Sequence, residues 1–217
     1  MSNVQAATSA PPAQRADHGF ARDQAVTALI FGVAAFAWFG WGQAQPPAGW
    51  SVPLTVGSVA SAVAAVLAGL MLFRLRSGGA AMADPFVRRR YFIIVGAEVL
   101  AIVLGVAGLG VSGYGAYLPA WILLIVGIHF LPLARLFGDA GLRVAGIAVI
   151  AVAVAAAIAG AASDVPPSAV AGGGGGLVLL VSAVVLLCQT YRASLTSPPP
   201  AAGTPGAPAA REGQRGG

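Results

Sequence analysis

Apolar residues gather in six runs along this chain, at 25–41, 53–73, 91–110, 117–133, 143–161 and 169–191, separated by short breaks rich in Gly, Pro, Ser and Arg. A helix rises about 1.5 Å per residue, so even the first run just reaches across the ~30 Å hydrocarbon core of a bilayer. The pattern predicts an all-α integral membrane bundle of six transmembrane helices over residues 22–192. Two tails rich in Ala, Pro and Gly flank it, at 1–21 and 193–217. Neither holds enough apolar surface to offset the entropy of ordering it, and both are read as disordered.

Local signals place the helix ends. Pro53 falls in the first turn of the second helix, where its missing N–H costs little. Asp84-Pro85 is a helix start, with Asp as the N-cap and Pro at the first helical position. Ser112-Gly113-Tyr114-Gly115 reads as an uncharged turn, and Gly138-Asp139 as a second break. Trp38, Phe39 and Trp41 at the end of the first run, and Tyr117 and Trp121 at the start of the fourth, suggest interfacial aromatic anchors. Gly57, Ser61, Ala65 and Gly69 recur every four residues, a small-residue face suited to close helix packing and to a homo-oligomer or membrane partner. The sixth run contains five glycines, Gly172–Gly176, each costing about 0.8–1.0 kcal/mol against Ala in a helix. They are helical if neighbours pack tightly on them, or irregular and protein-lined if not.

Composition sharpens the class. The chain is 58% hydrophobic and 9% charged, against about 25% charged in soluble domains, so it lacks the polar surface to enclose a water-soluble core. All twelve basic residues are Arg; with the Ala, Gly and Pro excess this indicates a GC-rich bacterial genome. Six helices put all twelve arginines on one side, and the positive-inside rule makes that side cytoplasmic, with both termini there. The first fifteen residues hold no apolar run, so a conventional signal peptide is missing; residues 25–41 could serve as a long h-region before Gln43-Ala44-Gln45, and an uncleaved first helix is the preferred reading. The arginines lie at helix ends and serve topology, which argues against nucleic-acid binding despite the basic balance. One cysteine, Cys188, and two histidines exclude a clustered cysteine or histidine metal site. There is no Lys for a phosphate loop and no base apparent beside Ser112 or Ser182, so no enzyme, cofactor or metal is expected.

The candidate chemistry lies in the hairpin of the third and fourth helices. Glu98 is fifteen residues before the turn at Gly113 and His129 sixteen after it, so an antiparallel hairpin puts them at nearly equal depth. A carboxylate in hydrocarbon costs a few kcal/mol, which directs Glu98 inward, on a stripe with Tyr91, Val95, Ala101, Ile102 and Gly105. Pro132 cannot donate to the carbonyl of Ile128, which leaves that oxygen free next to His129 and predicts a kink. Glu98, His129, Tyr91 and Arg135 form the expected intramembrane polar site. The Glu–His pair is a register-fixing contact, a proton or solute pathway, or two residues with unrelated separate roles. Arg135 could instead pair with Glu98 or bind lipid phosphate. Arg88, Arg89 and Arg90 are read as contacts to anionic lipid headgroups on the cytoplasmic side.

The segment Gly127-Ile-His-Phe-Leu-Pro-Leu-Ala-Arg-Leu-Phe137 resembles a stretch of small bacterial multi-pass membrane proteins without an assigned activity. The resemblance implies an integral membrane protein and supplies no mechanism. The reading is a structural or regulatory membrane protein with an internal Glu–His site. A small proton-linked transporter or channel-like protein is the alternative, and a membrane-embedded lipid-modifying enzyme a third.

Overall fold

Every apolar run is a helix, in a computed structural model that describes residues 12–75 and 84–196. α1 covers Pro12–Gly42, α2 Ser51–Arg74, α3 Pro85–Val111, α4 Leu118–Phe137, α5 Ala140–Ala162 and α6 Pro167–Thr196. A single 3-10 turn, Gly115–Tyr117, joins α3 to α4, and no strand occurs among the described residues. All six helices are long and apolar enough to cross a membrane.

The helix ends follow the local signals. Asp84 caps α3 by accepting from the Phe86 N–H at 2.8 Å, with Pro85 at the first helical position. Gly138, at φ +67°, closes α4 in the left-handed region, and Asp139 caps α5 through the Leu142 N–H at 3.1 Å. Two ends differ from expectation. α1 begins at Pro12, so residues 12–21 are helical rather than disordered, and α6 continues through 193–196. Each is an extension of an established helix. Propagation adds one hydrogen bond per residue fixed, so a helix runs on through polar residues with no apolar face to bury. Residues 1–11 and 197–217, including Pro198-Pro199-Pro200, and Arg76 lie outside the described residues.

Packing converges on α6, which contacts α1, α2, α4 and α5. The five glycines are the reason, and they are helical throughout. A methyl at Gly172 would strike the backbone of Gly42 and the Trp38 carbonyl on α1; at Gly174 it would meet Val152 of α5 at 2.6 Å, at Gly175 Leu123 of α4 at 2.7 Å, and at Gly176 Phe39 of α1 at 2.8 Å. The missing side chains are thus filled by neighbours from three helices, and dispersion at close approach offsets the poor helix propensity. Leu123, Val149 and Leu179 are fully buried around this axis, and Phe31 meets Phe130 with ring centroids 5.4 Å apart.

Two aromatic residues expected at the interface belong to this core. Trp38 and Phe39 are buried, because Gly57 and Gly176 open a notch that the Phe39 ring fills; Trp41 and Trp50 stay on the surface. The small-residue face of α2 is likewise occupied. Gly57 receives Phe39, Ser61 is fully buried, and Ala65 lies against Gly32 of α1, which leaves only Gly69 open. Three of its four small residues thus pack inside the chain, against α1.

α3 stands apart. It contains no buried residue and packs on α4 and the turn between them. Its half-buried positions are Val87, Tyr91, Ile94, Val95, Glu98, Ala101, Ile102, Gly105 and Leu109, and the opposite face, including Phe92, Ile93, Leu100, Val103 and Leu104, is exposed. Glu98 and its predicted stripe therefore form the face that meets α4.

Candidate functional site

The α3–α4 interface is pinned at three heights. Toward the turn, Trp121 Nε1 donates to the Ala101 carbonyl at 3.2 Å, its indole seated in the notch left by Gly105. At mid-helix, His129 Nδ1 lies 3.0 Å from Glu98 Oε1, and each side chain is 14% exposed. Near the arginine-bearing end, the rings of Tyr91 and Phe137 pack with centroids 6.5 Å apart. Paired residue numbers sum to nearly the same value at each height, as an antiparallel hairpin folded at Gly113 requires.

Glu98 and His129 thus meet as the depth matching predicted. The two atoms are close in distance but lack the alignment of a hydrogen bond. Nδ1 itself is shielded from solvent and has no hydrogen-bond partner. The two other residues assigned to this polar site are elsewhere. The Tyr91 ring packs on Phe92 and Phe137. Arg135 lies six residues past His129, and the close contact of Glu98 is with His129. Arg135 instead lines a cleft of about 310 Å³ together with Arg90, Ile94, Pro132 and Leu136. This cleft begins one helical turn below the pair, since Ile94 precedes Glu98 by four residues and Pro132 follows His129 by three. α4 remains helical through Pro132, whose ring forms part of the cleft wall. Arg88, Arg89 and Arg90 are exposed, and the Arg90 guanidinium carbon sits 4.5 Å from the centroid of the Phe86 ring.

Sequence reasoning missed the Trp121 contact. Its signal was the depth match of Gly105 to Trp121, the same arithmetic that paired Glu98 with His129. It also missed two polar clamps, one at each end of α1. Gln24 donates to Gln189 at 3.3 Å and accepts from the buried Thr190 at 3.4 Å on α6, and at the far end Gln43 donates to Ser58 of α2 at 2.9 Å. Gln189 and Thr190 within the sixth apolar run, and Gln24 and Gln43 flanking the first, carry that signal. No group of three or more His, Cys, Asp or Glu side chains able to hold a metal occurs among the described residues.

Six helices of spanning length and composition, with their few polar contacts turned inward and a wide apolar surface outside, define a multi-pass integral membrane protein. Comparison with protein-family models, curated proteins and solved structures finds no match to this chain.

Proposed function

We propose that this is a non-enzymatic protein of a bacterial cytoplasmic membrane, structural or regulatory in role, in which the Glu98–His129 pair clasps α3 onto the bundle. The observation that carries the reading is the placement of the pair: it joins α4 to the one helix that buries no residue. Lipid tails are as apolar as the helix faces, so α3 gains no hydrophobic drive toward α4 and depends on dispersion and a few polar contacts. The cytoplasmic placement of both termini rests on the one-sided distribution of the twelve arginines.

Proton-linked transport is the second reading, favoured by the cleft that starts one turn below the pair. Flux and stability measured together separate the two. In proteoliposomes a clasp gives no pH-driven proton flux in wild type, Glu98→Gln or His129→Ala. Each substitution then lowers stability by about 0.6–1.7 kcal/mol, and the double variant by little more than either single one. Wild-type flux abolished by both substitutions at unchanged stability would replace the clasp with a proton pathway.

A further inference from the structure

We propose that the cleft between α3 and α4 binds the phosphate of an anionic phospholipid, held by Arg90 of one helix and Arg135 of the other. Of its five lining residues two are cations and none is an acid. The remaining three, Ile94, Pro132 and Leu136, are apolar and half-buried. The carboxylates nearest in sequence are otherwise engaged: Glu98 with His129, Asp84 with the Phe86 N–H and Asp139 with the Leu142 N–H. Two guanidinium groups facing one cleft repel each other, and an anion between them removes that repulsion while accepting paired N–H donors. Arg90 is prepared for this, since Phe86 holds the face of its guanidinium and leaves the edge donors available.

The walls select the source of the phosphate. Arg90 is the last charge before the apolar run of α3 proper, and Arg135 the first after the apolar run of α4, so the cleft lies where headgroup meets hydrocarbon. A free phosphate ion would use only the arginines. A phospholipid also covers Ile94 and Leu136 and extends its chains beside the exposed Phe92 and Ile93. The site rests on the clasp reading in one respect: it bridges the same two helices, so bound lipid tightens the docking of α3. The cytoplasmic leaflet, where that reading puts this end of the bundle, supplies anionic lipid.

The full chain in phosphatidylcholine nanodiscs, with and without phosphatidylglycerol, tests the site by thermal melting and by lipid titration. Phosphatidylglycerol is expected to raise the wild-type melting temperature by roughly 5 °C. Arg90→Gln/Arg135→Gln should weaken its binding about tenfold or more, whereas Arg74→Gln/Arg143→Gln, on the same side of the bundle, should change it less than about threefold. Arg90→Lys/Arg135→Lys keeps the topology charges and loses the planar donor pairs, and is expected to bind several-fold more weakly in a folded protein. Unchanged binding in either Arg90/Arg135 variant would overturn the site, as would an equal melting shift from inorganic phosphate, which would mark a soluble-anion site. Glu98→Gln should lower the baseline melting temperature but retain the lipid-induced shift. A baseline that does not move, with the shift intact, would count against the clasp alone.

Discussion

Two glycines three residues apart on α3 should respond to the same substitution with opposite signs. A methyl at Gly105 would overlap the Trp121 indole, meeting Nε1, Cε2 and Cδ1, whereas at Gly108 nothing lies within 4 Å. Gly108→Ala therefore changes only helix propensity, which favours Ala by about 0.8–1.0 kcal/mol. Gly105→Ala gains the same propensity but must expel the indole. Overpacking of that kind costs about 1–3 kcal/mol, and the hydrogen bond to the Ala101 carbonyl adds about 0.6 kcal/mol and at most about 1.7. The net result is a loss of about 1–3 kcal/mol at Gly105 against a neutral or slightly stabilising change at Gly108. Trp121→Phe, which deletes the N–H donor and keeps much of the ring, isolates the smaller hydrogen-bond share. Reversible unfolding in mixed micelles measures the three variants, and tryptophan emission reports displacement of the indole. Equal effects at Gly105 and Gly108, or an unmoved emission spectrum in Gly105→Ala, would refute the notch and the helix register built on it.

The glycine run of α6 offers a comparable contrast: Gly172→Ala, facing the Gly42 backbone, should cost about 2–3 kcal/mol in unfolding assays, while Gly40→Ala, with open space around it, should cost nothing. Orientation is checked with reporters. A green fluorescent protein fused after Gly217 should fluoresce, and alkaline phosphatase inserted in the loop at 45–49 should be active, because the arginine bias puts these points on opposite sides of the membrane.

How much of this was legible in the sequence depends on the distance over which each signal acts. Spans were legible because a bilayer imposes length and apolarity on every helix separately. The cap at Asp84 and the break at Gly138-Asp139 were legible because such signals act within one turn. The Glu98–His129 contact was reached by counting from a tight turn, which fixes depth in a hairpin. Rotation about the helix axis is not set by depth, and errors came where rotation decides. Trp38 and Phe39 look like interfacial aromatics by position, and only the glycines of α2 and α6 facing them turn the pair inward. Arg135 and Tyr91 share helices with His129 and Glu98, yet one lines the cleft and the other packs on Phe137. The small-residue face of α2 was legible as a packing surface, but its partner, α1 within the same chain, was not.

The bundle divides by how its helices are held. α1, α2, α4, α5 and α6 interlock through glycine notches filled by Phe39, Leu123 and Val152, contacts that need no polar group. α3 has no such interlock beyond Gly105, and it is there that Glu98 meets His129. A carboxylate in a span is costly to insert, so its value must lie in what it specifies. On the proposed clasp reading, it fixes the height and rotation of a helix that packing alone leaves underdetermined. Trp121 supplies a second fixed point a turn or more away, and two points define a register where one permits pivoting. Removing either contact should leave α3 inserted in the membrane yet free to rotate on the other. The cleft between Arg90 and Arg135 would change shape first, since it lies at the end of the hairpin farthest from the turn.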